Sequence, residues 1–277
     1  MNALFHGDWG LSHSQGDEPV IEVIRADLPA TMELATVATL IQIVVAVPLG
    51  IVSAVRRNKP VDHASRLLAL SGASFPVFWL ALMLQYVFFY GLQMHNLPYL
   101  PATGRLGDVT LYNYPLTTIT GFYLVDSLLT WNIPVFKDAL AHIILPAFTL
   151  GFTGMGLITR ITRSSMLEVL RQDYVTLARA KGLPERVVIY KHALKNAINP
   201  TITIIGLSFG FILGGSPLTE VVFSWPGIGK WAAAALVASD RASIMAYVLL
   251  TGATFVLVNL VVDVLYSVID PRVRVGE

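Results

Sequence analysis

Five stretches of this chain, at about residues 31–55, 67–92, 140–159, 198–219 and 244–269, are each apolar over a length that reaches across a lipid bilayer. A helix rises about 1.5 Å per residue, so roughly 20 residues cross a hydrocarbon core about 30 Å thick. Backbone groups in hydrocarbon find no water and must bond within their own segment, which predicts that each stretch is helical. Composition points the same way: 55% of the 277 residues are hydrophobic and 13% charged, and the mean hydropathy is +0.64. A soluble domain does not cover itself with so little polar surface. The predicted fold class is an all-α, polytopic transmembrane helix bundle. Its membrane domain is expected at 31–269, between an N-terminal segment 1–30 and a short tail 270–277.

Punctuation in the sequence sets the boundaries. Pro29 suits the start of the first span, and Arg56, Arg57 and Lys59 stop it. Pro76 and Gly72 fall inside the second, where membrane helices accept them more readily than soluble ones do. From 93 to 139 the chain is rich in proline and glycine and reads as a loop. Within it, Leu116 to Trp131 carries Asp126 and several threonines, which fits a loop or interfacial helix rather than a span. Between the last two spans, 220–243 contains the turn-forming Trp225-Pro226-Gly227.

The net charge of +1 hides a strong asymmetry. About 14 of the 19 Lys and Arg residues fall in 56–66, 160–195 and the tail, and most of the acids fall on the other side of the five-span topology. Basic residues concentrate in short cytoplasmic loops, so these segments and the C-terminus are expected in the cytoplasm, with 1–30, 93–139 and 220–243 external. The acidic N-terminal segment has neither a basic region nor an apolar core that would export it. A further span preceding residue 1 is the simplest expectation that resolves this.

The basic stretch 171–200, RQDYVTLARAKGLPERVVIYKHALKNAINP, lies between the third and fourth spans. Met166, Leu167, Leu170, Tyr174, Leu177 and Ala178 recur at helical spacing, predicting an amphipathic helix over 165–181 that continues the third span. Gly182 is placed to end it in the left-handed conformation. Pro184 then opens a second short helix with Glu185 at its positive end and Val187, Tyr190, Leu194 and Ala197 on its apolar side. A DNA-reading helix-turn-helix would share this outline, but spans abutting both ends leave it little freedom to enter a groove. A loop whose only task is to fix topology needs scattered charges, not two phased helices.

These residues resemble the cytoplasmic coupling loop of binding-protein-dependent ABC transporter permeases of the dipeptide/oligopeptide/nickel branch. Asp173 to Leu183 is similar to that branch's QDYVRTARAKGLS, and His192 to Ala197 to its RHALRNA. Of the wider superfamily pattern E-A-A-x3-G-x9-I-x-L-P, only Ala178, Gly182 and Leu194 match. The likeness continues in Gly7-Asp8-Trp9-Gly10, Thr159 to Glu168, Phe223 to Gly229, and Val258 to Arg272. It covers essentially the whole chain, without the family's first transmembrane helix. The resemblance implies a type I ABC importer permease of the bacterial inner membrane, pairing with a second homologous permease, two ATP-binding subunits and an external substrate-binding protein. It further implies that Asp173, Tyr174, Ala178, Arg179, Ala180, Lys181, Gly182, Leu183 and Arg186 couple transport to those ATPases.

Missing chemistry fits this reading. There is no G-x-x-x-x-G-K-[ST] phosphate loop, so ATP and Mg are expected on partner subunits and no cofactor is expected in this chain. No His, Asp and Glu cluster has metal-ligand spacing, Ser164 and Ser165 lack a catalytic partner, and no nucleic-acid partner is expected. Polar groups inside spans are expensive facing lipid. Gln42, Gln85 and Asn259 therefore either line a path or bond between helices, and Asp263 is expected to pair with Arg160 or Arg163. A proton-coupled secondary transporter is the alternative from a different class. Within the importer class, peptides are the expected cargo, with nickel chelates or glutathione as alternatives.

Overall fold

The computed structural model describes residues 9–269, with no side chain described at Ala73 or over 265–269. Gly7, Asp8 and the tail from Asp270 lie outside the described residues, as do the parts of the family-like motifs that fall on them. A two-residue antiparallel ladder, β1 (Leu11–Ser12) with β2 (Glu18–Pro19), precedes a series of helices. These are α1 (Val20–Val55), α2 (Pro60–Ser74), α3 (Val77–Met94), α4 (Asp108–Asn113), α5 (Tyr123–Leu129) and α6 (Ile133–Val169). Then follow α7 (Asp173–Ala180), α8 (Glu185–Ala197), α9 (Asn199–Leu213), α10 (Pro217–Val222), α11 (Ile228–Val237) and α12 (Arg241–Ile269). Four of them are long and apolar enough to cross a membrane, and α8 with α9, bent by 58°, adds a fifth if counted as one span.

The fourth expected span is shorter than 198–219, ending at Leu213, and three further differences have a clear local reason. The first helix starts at Val20 rather than near Thr31 and runs through Pro29. Its early turns are held by burial of Val20, Val23 and Ile24 against Ile228, Trp231 and Ala246. The second span is interrupted, because Phe75, immediately before Pro76, is extended at ψ 132°. A residue preceding proline is pushed out of the helical region, which separates α2 from α3. The third helix starts at Ile133, and Pro134 sits in its first turn, where the missing N–H costs nothing. The expected loop helix between 116 and 131 is present as the seven-residue α5.

The chain forms two compact units. The first comprises residues 9–38, 76–150 and 211–255. Its loops are fixed by buried polar groups rather than by apolar packing alone. Arg105 is buried, and its Nη2 donates to Glu33 Oε2 at 2.5 Å and to the Gly121 carbonyl at 2.7 Å. Its guanidinium also lies 3.6 Å from the centroid of the Tyr123 ring. Asp126 accepts from the backbone N–H groups of Ile119, Thr120 and Gly121, which closes the loop before α5. Asp240 accepts from Ser243 Oγ at 2.6 Å and from the Ser14 N–H at 3.1 Å, binding the β1–β2 segment. Burial alone would raise the Asp240 carboxyl, but these donors prevail and hold it down at about 2.

Glu220 lies in a tight, fully buried niche of this unit. Its Oε1 accepts from Thr31 Oγ1 at 3.0 Å and its Oε2 from the Lys230 N–H at 2.9 Å. A Cβ at Gly227 would stand 2.6 Å from that Oε2, so the turn after Trp225-Pro226 must be glycine to admit the carboxyl. Burial pushes Glu220 up to about 7 against the pull of the hydrogen bonds from Lys230, Thr31 and Gly229. The folded value exceeds the ordinary 4.5, so this group's contribution to stability is complete below that pH and is lost as pH rises through about 7. Glu220→Gln should therefore flatten the fall in melting temperature between about pH 5 and pH 8. Parallel thermal melts in detergent check this; an unchanged slope would contradict it.

The second unit comprises residues 39–75, 151–210 and 256–269. Its helices approach closely at glycines: a Cβ at Gly156 would lie 2.1 Å from the Ala69 carbonyl oxygen, and one at Gly206 would lie 2.1 Å from Val262 Cγ2. Small residues at such crossings allow backbone contact where no hydrophobic gain separates lipid from helix. Apolar clusters around Met155 and Ile158, and around Met166 and Ala193, complete its interior.

Candidate functional site

The 171–200 stretch lies wholly in the second unit. The helix expected over 165–181 is broken: α6 ends at Val169, and Leu170 to Gln172 form a turn before α7 begins at Asp173. The break rotates the buried face. Val175 and Ala178 are buried with Val188, while Tyr174 and Leu177, expected on the apolar side, are exposed. Leu177 is 55% exposed and Tyr190 54%.

The turn between the helices is a full Schellman closure. Gly182 has φ +74°, its N–H donates to the Arg179 carbonyl at 2.9 Å, and the Leu183 N–H reaches back to the Ala178 carbonyl at 3.4 Å. This satisfies carbonyls that the end of α7 would leave open. A Cβ on Gly182 would meet nothing within 4 Å, so glycine is required by the backbone angle and not by crowding within the chain.

Beyond the turn, residues 188–193 form a π-helical turn, which carries one residue more than an α-helical turn and shifts the face that follows. The residues buried on α8 are consequently Val188, Ile189, Ala193 and Ala197, rather than Val187, Tyr190 and Leu194. Ile189, Ala193 and Ala197 pack with Met166, Ile51 and Ala54. Two polar ties brace α7 against α8. Arg179 donates through Nε and Nη2 to both oxygens of Glu185, at 3.2 and 2.9 Å. Asn196 Nδ2 donates to the Tyr174 hydroxyl at 2.8 Å.

The structure thus gathers Asp173, Tyr174, Arg179, Ala180, Lys181, Gly182, Leu183 and Arg186 on an exposed helix–turn–helix, with Ala178 buried beneath it. Asp173 sits in the first turn of α7 and Arg179 in the last, each favoured there by the helix dipole. Leu177, Leu183, Tyr174 and Tyr190 leave apolar surface uncovered among these charges. Apolar surface rimmed by charge occurs at protein-docking and membrane-contact faces.

A group that sequence reading missed anchors this unit. Asp62 is fully buried and accepts from Arg163 Nε at 2.8 Å and Nη2 at 2.9 Å, from Ser53 Oγ at 2.6 Å and from the Asn58 N–H at 2.9 Å. The Arg163 bonds, ahead of those from Ser53 and Asn58, hold its carboxyl well below the usual range against the effect of burial. Arg163, which the sequence suggested for Asp263, is thus engaged by Asp62, and Asp263 is exposed on α12. The basic run 56–66 hid this carboxylate among its arginines. No group of His, Cys, Asp and Glu suited to a metal ion occurs among the described residues.

The polar span residues separate into different settings. Gln42 is buried and its Oε1 accepts from Ser208 Oγ at 3.0 Å; glycine at 154 makes room for it. Ser208 lies on α9, so this bond joins two helices. In the first unit, Gln85 Nε2 donates to the carbonyls of Ala102 and Val222, at 2.7 and 3.0 Å. Asn259 is half-buried on α12.

Removal of the Asp62 carboxylate should be far more damaging than removal of the exposed Glu185. Asp62→Ala is expected to cost about 3 kcal/mol, because it strands a partly buried guanidinium. Glu185→Ala should cost under about 1 kcal/mol. Melting of the two variants in one detergent checks the order, and equal losses would contradict the anchoring role.

Residues 46–275 match the family model described as binding-protein-dependent transport system inner membrane component. The chain is similar to the probable D,D-dipeptide transport system permease protein DdpB of Escherichia coli strain K12, at 48% identity over 100% of this chain and 78% of that protein. It is also similar to the dipeptide transport system permease protein DppB of Alkalihalophilus pseudofirmus, at 44% identity over 99% of this chain and 79% of that one. Among solved structures, the inward-facing MetNI methionine ABC transporter is alike in fold, with TM-score 0.63 over 91% of this chain and 99% of that chain, at 13% identity.

Proposed function

We propose, starting from the fact that the chain belongs to the family of binding-protein-dependent transport system inner membrane components, that it forms one permease half of an ATP-driven peptide importer. The observation that carries this reading is the exposed α7–Gly182–α8 unit, braced on its inner side and apolar on its outer side, in a chain 48% identical to a permease named for D,D-dipeptides.

In this reading the basic segments 56–66 and 160–195 face the cytoplasm with the C-terminus. The external binding protein delivers substrate to 93–139 and 220–243. The translocation path forms between this chain and a second, homologous permease, and Gln42, Gln85 and Asn259 stay candidates for contact with it. Two partner subunits bind ATP and Mg, and ATP drives their closure. Their motion reaches the spans through α7 and α8, because short packed helices move as a body where a flexible loop would absorb the displacement. Asp173, Lys181, Leu183 and Arg186 then meet the ATPase surface, with Arg179 holding the turn through Glu185.

Cargo is read from chemistry shared with the relatives: a short peptide or D,D-dipeptide, in preference to nickel chelates or glutathione. Gly182→Val forces a β-branched residue to φ +74°, a strain of about 1–2 kcal/mol, and places a side chain on the docking face. The expected outcome in proteoliposomes holding the assembled transporter is loss of most ATP-dependent dipeptide uptake, with the protein still inserted and its ATPases still active. Normal uptake would refute the docking role, and competition by glutathione but not by dipeptides would refute the cargo.

A further inference from the structure

Two adjoining cavities of the second unit lie beside the docking face, the larger one reaching Arg171 and Gln172 just before α7. One, of about 240 Å³, is a groove between α2 and α6 lined by Ala69, Leu70, Gly156 and Leu157. The helices touch at its floor, where Gly156 meets the Ala69 carbonyl. Its polar lining comes from Thr159, Arg66, Arg160 and Arg163. Arg66 lies one turn before Leu70 on α2, and Arg160 and Arg163 lie one and two turns beyond Gly156 on the antiparallel α6, so the guanidiniums share one end. The second cavity, about 610 Å³, is bounded by the same Arg66 and Arg163 and adds Arg57 and Arg171 against the single carboxylate of Glu168.

Charge in this region is not balanced from within. Asp62 is taken up by Arg163 through Nε and Nη2, with Arg66 Nε at 3.5 Å. Arg57, Arg160 and Arg171 are exposed and have no carboxylate partner among the described residues. At the other extreme, the groove opens beside leucines that are themselves uncovered: Leu67 is 69% exposed and Leu70 62%.

We propose that this site holds a membrane phospholipid with an anionic headgroup, one acyl chain lying in the α2–α6 groove and the phosphodiester on Arg66 and Arg160. An apolar slot ending in a cluster of guanidiniums is complementary to an amphiphile whose charge sits at the end of its chain. Guanidinium groups bind phosphate oxygens in pairs and retain their charge at any relevant pH. Basic pockets between membrane helices recognise anionic lipid headgroups on these grounds. A zwitterionic lipid would fill the groove and leave the cationic excess uncompensated, and a free phosphate would leave the groove and its leucines uncovered. The proposal does not depend on which peptide is carried.

The test uses the full chain with its partners, purified in a nonionic detergent, and follows its melting temperature as lipid is added. Phosphatidylglycerol is expected to raise it, less so at high salt, while phosphatidylcholine and inorganic phosphate at equal concentration do not. R66Q with R160Q should weaken the apparent affinity for phosphatidylglycerol on the order of tenfold, and R66K with R160K should keep most of it. L70Q with L157Q should weaken the lipid response through the groove. An equal response to phosphatidylcholine, a response reproduced by phosphate alone, or a double glutamine variant indistinguishable from the parent would each overturn the proposal. Should a variant fail to assemble, native mass spectrometry of the unmutated protein decides: preferential retention of phosphatidylglycerol supports the site, and no preference overturns it. A Leu70→Cys label blocked by a partner protein in the assembled transporter also overturns it.

Discussion

A backbone that lies in hydrocarbon has no solvent to bond with, and this constraint shapes every span of the chain. It makes long helices the default, so the informative places are those where helix stops. The extended Phe75 before Pro76, the turn at Leu170 to Gln172, the left-handed Gly182 and Gly215, and the 58° bend before Asn199-Pro200 are such places. At the Gly182 turn the open carbonyls are met by a defined partner, the returning N–H groups of Gly182 and Leu183. Away from the spans the same need is met by side chains. Asp126 closes a loop through three backbone donors, and Asp240 and Glu220 gather N–H and hydroxyl groups around a buried carboxyl.

Rigidity of the 171–200 unit follows from how it is tied, more than from helix propensity. Helices as short as α7 are marginal alone. Here Val175, Ala178 and Val188 share one small core, and Ala193 and Ala197 share another with Met166 and Ile51. The Asp62–Arg163 pair joins the start of α2 to the last turns of α6, so the element leading into the unit is fixed as well. Surface ties such as Arg179 with Glu185 contribute orientation and little energy. In the proposed coupling role, these contacts are the route by which a force applied at Leu183 reaches α6 and α8.

Much of this was legible in the sequence, and the reasons are physical. Apolar length is summed over many residues, so the spans survive local errors. Gly182 was legible because a glycine at the end of an amphipathic pattern has few other uses. The break at Leu170 to Gln172 was not, since Gln172 is an unremarkable N-terminal cap and the hydrophobic spacing runs straight through it. That single break exchanges Val175 for Tyr174 and Leu177 on the buried face. The π turn at 188–193 similarly moves the α8 face by one residue, and periodicity counted at 3.6 cannot register it. Asp62 with Arg163, and Glu33 with Arg105, pair across 101 and 72 residues, beyond any local pattern. Among candidate path residues, Gln42 spends its side chain on Ser208, a partner far along the chain that spacing could not have named.

The central claim is that the α7–Gly182–α8 turn meets an ATP-hydrolysing partner on the cytoplasmic face. The chain contains no cysteine, so one thiol placed at Leu183, 37% exposed on the turn, is unambiguous. In cells, Leu183→Cys should be inaccessible to a membrane-impermeant maleimide and should form an adduct with a co-purified ATPase subunit through a short thiol-to-amine linker, in a yield that changes with ATP. Labelling from outside the cell, or an adduct absent under every nucleotide condition, would contradict the account.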